Sequence, residues 1–179
     1  YEPGIPPNAP VVESGKFSTV NAARIAWMGS GKLPDKTITD AWGTQEWVHF
    51  LEGMPDTLAQ AQLTQLDEAY RFTGTPNGEI AMRWYPLAER SGYAAARPAM
   101  GAFLERVGRR KLIMPTYKAL VATPDGLAFA KAVFAKARPG YHPITTGSVE
   151  AMIAEAKPME RQEVPEALHP VDPARSEEH

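Results

Sequence analysis

Apolar residues recur along the middle of the chain at the three- and four-residue spacing of one face of an α-helix. Four segments carry such a stripe: Leu63, Leu66 and Tyr70; Ile80, Trp84 and Leu87; Met100, Phe103, Leu104 and Val107; and Leu127, Ala130, Phe134 and Ala137. In a helix, residues with this spacing project from one side, where they can pack on a core. The pattern therefore predicts four amphipathic helices.

Shorter apolar patterns predict further helices near residues 18–28, 45–52, 112–122 and 145–156. The intervening breaks are short and rich in glycine and proline, so successive helices are expected to run antiparallel, as in a hairpin of residues 77–91 with 93–107. Thr57 and Asp125 are the predicted N-cap residues of their segments. Because no alternating run indicates strands, the predicted fold is all-α: a right-handed α-α superhelix of about eight or nine helices, similar to HEAT and armadillo stacks.

The two ends of the chain differ in composition from the middle. Prolines are frequent in the first dozen residues, and proline fixes φ and removes a backbone donor. We therefore expect residues 1–15 to form an extended linker and residues 16–156 to form the helical domain. Residues 157–179 combine prolines with charges and few large apolar side chains, which predicts a disordered tail. The chain does not begin with methionine, so we expect a fragment or a processed product.

Composition removes several classes of function. The formal net charge of −2 gives no electrostatic basis for a nucleic-acid or membrane partner. The chain has no cysteine, which excludes disulfides, thiolate metal sites and cysteine nucleophiles. Neither an apolar run of membrane-spanning length nor a signal sequence is present. The expectation is a soluble protein of the cytoplasm or the periplasm.

Catalytic motifs are also missing from the sequence. No two of the four histidines stand in a His-Glu-x-x-His arrangement. His49 and Glu52 have a spacing that could share a metal, although two exposed polar groups are the favoured interpretation. The segment 29–32 resembles only the end of a phosphate-binding loop, and no Gly-x-Ser-x-Gly motif occurs. We therefore assign no catalytic residue, no metal ligand and no cofactor to this chain.

A cluster of cations remains, formed by Arg106, Arg109, Arg110 and Lys111. Arginine can hold a carboxylate through two parallel hydrogen bonds, and lysine adds a point charge. On composition alone the cluster is better interpreted as a solvated helix terminus, because cations are favoured near a helix C-terminus.

Four blocks of sequence resemble the C-terminal helical domain of leukotriene A(4) hydrolase and its aminopeptidase relatives, within the gluzincin aminopeptidases. These blocks are residues 1–7 (Tyr-Glu-Pro-Gly-Ile-Pro-Pro), residues 77–84 (Asn-Gly-Glu-Ile-Ala-Met-Arg-Trp), residues 108–118 around Gly-Arg-Arg-Lys-Leu-Ile-Met-Pro, and residues 141–145 (Tyr-His-Pro-Ile-Thr). Their order and approximate spacing match from residue 1 to about residue 153.

The resemblance implies that a zinc-binding catalytic domain lies upstream in the parent enzyme, with the zinc and its ligands there. This chain would close the substrate channel and be non-catalytic alone, with its own upstream domain and the peptide substrate as partners. Arg109 and Lys111 match the positions that bind the peptide carboxylate. Glu79 and Arg83 are expected to pair, and His142 to cap a turn. Epoxide hydrolase activity is not transferred from these residues. The alternative hypothesis is a free-standing helical protein-interaction scaffold.

Overall fold

A computed structural model describes residues 9–158, with the backbone alone for residues 9–14 and 16. Within that range the chain forms nine α-helices and no strand, which confirms the all-α prediction. The helices are α1 (Ala9–Ser30), α2 (Lys36–Thr39), α3 (Thr44–Glu52), α4 (Gln60–Tyr70), α5 (Gly78–Arg90), α6 (Arg97–Arg106), α7 (Arg110–Leu120), α8 (Pro124–Ala137) and α9 (Pro143–Ala154). Two 3-10 turns, Ala94–Ala96 and Arg138–Gly140, precede α6 and α9.

Alternate helices are neighbours in space. Helix α3 packs against α1 and α5, and α7 packs against α5 and α9, so these five helices form one layer. Helices α6 and α8 pack on each other, and α8 also contacts α7 and α9. A layer of odd-numbered helices with α6 and α8 stacked on it is the order of an α-α superhelix. The predicted hairpin partners α5 and α6 do touch, but α5 packs far more extensively against α7.

The core lies between the layers, and every residue of the predicted apolar stripes except Leu127 is part of it or packs against it. The largest fully buried side chains include Trp27, Trp84, Tyr85, Tyr117 and Phe103. Aromatic rings contact one another along the stack, with centroids of Phe72 and Trp84 5.1 Å apart. Large aromatic side chains contribute most of the apolar burial in such a core.

Helix ends depart from the prediction at three places. Helix α1 begins at Ala9, so residues 9–15 are helical rather than extended; Pro10 lies in the first turn, where a missing N–H is tolerated. Residues 1–8 and 159–179, which include most of the predicted linker and tail, lie outside the described residues. The N-cap of α8 is Thr123, whose hydroxyl accepts from the Gly126 amide at 3.1 Å, and not Asp125.

The start of α4 was also predicted wrongly. Helix α4 begins at Gln60 with Ala59 as its N-cap, so Thr57 does not cap it. Instead, the Gln62 side chain accepts a hydrogen bond from the Ala59 amide at 2.9 Å. The cap predicted at His142 is confirmed, because its Nδ1 accepts from the Ile144 amide at the start of α9.

Candidate functional site

The cationic cluster lies at the turn between α6 and α7. Arg106 ends α6, whereas Arg109 is the N-cap of α7 and Arg110 and Lys111 form its first turn. The favourable interaction with a helix C-terminus therefore applies to Arg106 alone. At the N-terminus of α7 the helix dipole and the unpaired amides of the first turn already carry positive charge, and they favour an anion. The solvated-terminus interpretation thus lacks its physical basis at Arg109, Arg110 and Lys111.

These residues line an open groove of about 910 Å³ between α7 and α9. Its lining consists of four cations and three apolar side chains: Arg109, Arg110, Lys111, Lys118, Met114, Pro115 and Met152. No carboxylate is among the described residues that line it. The groove is therefore positively charged over an apolar floor, which suits a ligand with both an anionic and an apolar part.

The cations of the groove differ in their partners. Arg110 donates from Nε to Ser148 Oγ at 2.9 Å, which ties α7 to α9. Lys111 Nζ lies 3.4 Å from Glu79 Oε1. Arg109 is exposed and makes no side-chain hydrogen bond or ion pair with any residue from 15 to 158. Within the part of the chain that the structure describes, nothing occupies its hydrogen-bond donors, and they can face a ligand.

A row of alternating charges leads to Lys111. Arg83 donates from Nη1 to Glu79 Oε2 at 2.8 Å and from Nη2 to Glu52 Oε1 at 2.9 Å. The predicted Glu79–Arg83 pair is thus confirmed. The hydrogen bond from Arg83, followed by the charge and hydrogen bond of Lys111, lowers the pKa of Glu79, although partial desolvation opposes this. Glu79 is therefore ionised at neutral pH and holds Lys111 at the groove.

Two buried tyrosines support the turn from below. The Tyr141 hydroxyl donates to the Leu104 carbonyl in the last turn of α6, and the Tyr117 hydroxyl lies 3.0 Å from the Tyr141 hydroxyl. Gly108 lies against Tyr141, because a Cβ at Gly108 would be 3.6 Å from Tyr141 Cδ1. The Thr145 hydroxyl is 3.5 Å from the Gly108 carbonyl. The turn that precedes Arg109 is thus fixed to the start of α9.

The possible metal pair of the sequence analysis has other partners. His49 Nε2 lies 3.0 Å from Asn21 Oδ1, and its ring stacks on Phe17 with centroids 4.3 Å apart. Glu52 pairs with Arg83. In the described part of the chain, no three His, Asp or Glu side chains are grouped closely enough to hold a metal ion.

The resemblance pointed to Arg109 and Lys111, which both line the groove, but it assigned no role to Lys118, Met152 or Glu52. Lys118 is seven residues after Lys111, and this helical spacing was a usable signal. Met152 and Glu52 come from α9 and α3, and nothing local in the sequence indicated that they approach α7 or its neighbours.

Among residues 9–158, none of the helices has both the length and the apolar character that a membrane span requires.

Comparisons with known proteins show the family of the chain. The family described as "Leukotriene A4 hydrolase, C-terminal" matches residues 42–153. Leucine aminopeptidase 2 of Pyricularia oryzae is 29% identical over 153 residues, which cover 84% of this chain and 24% of the relative. A leukotriene A-4 hydrolase homolog of Botryotinia fuckeliana is 25% identical over 158 residues, which cover 87% of this chain and 24% of the relative. The chain spans about a quarter of the length of these curated relatives.

The family match covers more than half of the chain, and it includes α3 to α9 together with the cationic turn. The relatives align along most of the chain's own length. The chain therefore belongs to the leukotriene A4 hydrolase C-terminal family, and it is similar over most of its length to part of a leucine aminopeptidase 2 and of a leukotriene A-4 hydrolase homolog.

Proposed function

We propose that this chain forms the non-catalytic wall of the substrate channel in a zinc aminopeptidase, and that Arg109 and Lys111 bind the C-terminal carboxylate of the peptide. The observation that carries the proposal is the groove between α7 and α9, whose described lining has four cations and no carboxylate. Such a groove favours an anion joined to an apolar body, and the last residue of a peptide has that character.

The two cations are expected to contribute unequally. Arg109 has no ion-pair partner among the described side chains and can grip both carboxylate oxygens at once. Lys111 shares its charge with Glu79 at 3.4 Å and adds a weaker attraction. Arg109 therefore supplies most of the binding energy, and Lys111 refines the direction of approach.

The described residues do not fit a zinc ion, because they bring no three ligands together. The zinc of the parent enzyme is proposed to lie in its upstream domain, where it would polarise the scissile amide. The task of the present chain is positioning: a carboxylate fixed at Arg109 limits where the rest of the peptide can lie. Correct placement of a substrate lowers the entropic part of the barrier without any chemistry at the placing residue.

Replacement of Arg109 with alanine in the parent enzyme tests the proposal. The loss of a charged hydrogen bond should cost on the order of 1.5 to 3 kcal/mol, or about 13- to 160-fold in kcat/KM, for peptides with a free C-terminus. Matched peptides with an amidated C-terminus should lose little, because they offer no carboxylate. Arg106→Ala serves as the matched control, since Arg106 is exposed nearby but does not line the groove.

Equal losses on free and amidated peptides would contradict the carboxylate role. Lys111→Ala should give the same selectivity with a smaller loss than Arg109→Ala. A larger loss for Lys111→Ala than for Arg109→Ala would contradict the expectation that Arg109 contributes more of the binding energy than Lys111.

A further inference from the structure

Lys118 is a cation of the groove that the binding of one carboxylate leaves unused. It lies on α7 seven residues after Lys111, on the same face and about 10 Å further along the helix axis. It is exposed, and it has no ion pair with any side chain among residues 15–158. Its flexible four-carbon stem lets the ammonium group move toward a nearby anion.

The surroundings of Lys118 favour a second negative charge. A single carboxylate at Arg109 and Lys111 would neutralise at most part of the positive charge, because Arg110 and Lys118 remain. Between the two lysines the floor consists of Met114 and Pro115 on α7, with Met152 on α9. An apolar floor between two cationic points suits a short aliphatic chain with a carboxylate at each end.

We propose that Lys118 is a specificity-determining residue that makes the groove prefer peptides whose last residue is glutamate or aspartate. The α-carboxylate of that residue binds Arg109 and Lys111, its methylene groups lie on the methionine and proline floor, and its side-chain carboxylate reaches Lys118. This inference rests on the proposed carboxylate role of Arg109.

The test uses the parent enzyme and three matched peptides that end in glutamate, glutamine or amidated glutamine. The ratio of kcat/KM for the glutamate peptide to that for the glutamine peptide measures the effect of the side-chain carboxylate. The ratio for the free glutamine peptide to the amidated one measures the effect of the α-carboxylate. We expect the glutamate preference to be about two- to five-fold at low salt and to decrease as salt is added.

Lys118→Met, which keeps the apolar stem, should bring the glutamate preference close to one and leave the penalty for amidation unchanged. Lys118→Arg should retain the preference, because the positive charge remains. Lys136→Met is the control, since Lys136 is an exposed lysine on α8 outside the groove, and it should change neither ratio.

The two ratios separate the failures. If wild-type enzyme discriminates against the amide but not between glutamate and glutamine, the role of Lys118 is refuted and the role of Arg109 stands. A glutamate preference that persists in Lys118→Met would likewise refute the role of Lys118. If the amide carries no penalty, both proposals fall.

Discussion

The hydrogen bonds of Tyr117 and Tyr141, which lie beneath the cationic turn, can be tested by their effect on the stability of the chain. A carbonyl cannot donate, so the single hydroxyl proton of Tyr141 goes to Leu104, and the Tyr117 hydroxyl must donate to Tyr141. Burial raises the pKa of both phenols, and donation to Tyr141 raises that of Tyr117 further. Both hydroxyls are therefore neutral and present as donors at neutral pH.

The Leu104 carbonyl is one of the last four of α6, which have no partner inside the helix. Tyr141→Phe leaves this carbonyl without its partner and also removes the acceptor of the Tyr117 hydroxyl. An unsatisfied buried polar group costs about 1–3 kcal/mol, so this variant should lose about 2–5 kcal/mol of unfolding free energy. Tyr117→Phe removes one hydrogen bond and leaves the bond from Tyr141 to Leu104 intact, so it should lose about 1 kcal/mol.

The double variant Tyr117→Phe/Tyr141→Phe tests this assignment of donors and acceptors. With both hydroxyls removed, the Leu104 carbonyl alone is unsatisfied, so the double variant should be about 1–2 kcal/mol more stable than Tyr141→Phe. Urea unfolding of the four proteins, followed by circular dichroism at 222 nm, gives the complete cycle. Additive losses, with the double variant the least stable of the four, would refute the assignment of donors and acceptors.

Two further predictions concern the fold around the site. Gly126→Ala should destabilise the chain by about 1–3 kcal/mol in urea unfolding, because its Cβ would lie 2.1 Å from the Leu120 carbonyl oxygen. Gly147→Ala should stabilise the chain by about 0.5–1 kcal/mol, because a Cβ there meets no atom within 4 Å and glycine is unfavourable within a helix such as α9. In the folded protein the pKa values of the Glu79 and Asp125 carboxyl groups lie below their ordinary values of 4.5 and 3.8. The ionised carboxylates therefore stabilise the fold above these ordinary values, and this stabilisation is lost as the pH falls through the lowered pKa values. Unfolding between pH 5 and pH 2 should therefore show a smaller loss of stability with acid in Glu79→Gln and in Asp125→Asn than in the wild-type protein, and an equal loss would contradict this reasoning.

The sequence predicted the helices well because burial leaves a period in the chain. Trp84 and Leu87 lie on the predicted stripe of α5, and both are fully buried. Caps were predicted less well, because several polar residues compete at each helix start. Pro124 decides the case of α8: proline suits the first helical position, so the cap falls to Thr123 before it.

The order of the layers could not be predicted from the same pattern. A stripe shows which face of a helix is buried, but not which helix covers it. The hairpin of residues 77–91 with 93–107 was a reasonable expectation, yet α5 packs mainly on α7, some thirty residues further along the chain. For the same reason the groove could not be predicted in full, because Met152 lines it together with residues of α7 only through the packing of α7 with α9.

The row of charges across α3, α5 and α7 explains how Lys111 can serve both the fold and a ligand. Two of the three contacts in the row join alternate helices, from Glu52 to Arg83 over 31 residues and from Glu79 to Lys111 over 32 residues, and the third, between Arg83 and Glu79, lies within α5. Glu79 has its shorter contact, 2.8 Å, with Arg83 and its longer contact, 3.4 Å, with Lys111. A carboxylate that enters the groove therefore competes only for the weaker of the two contacts. If Lys111 turns toward the ligand, Glu79 remains paired with Arg83, so no carboxylate is left without a partner.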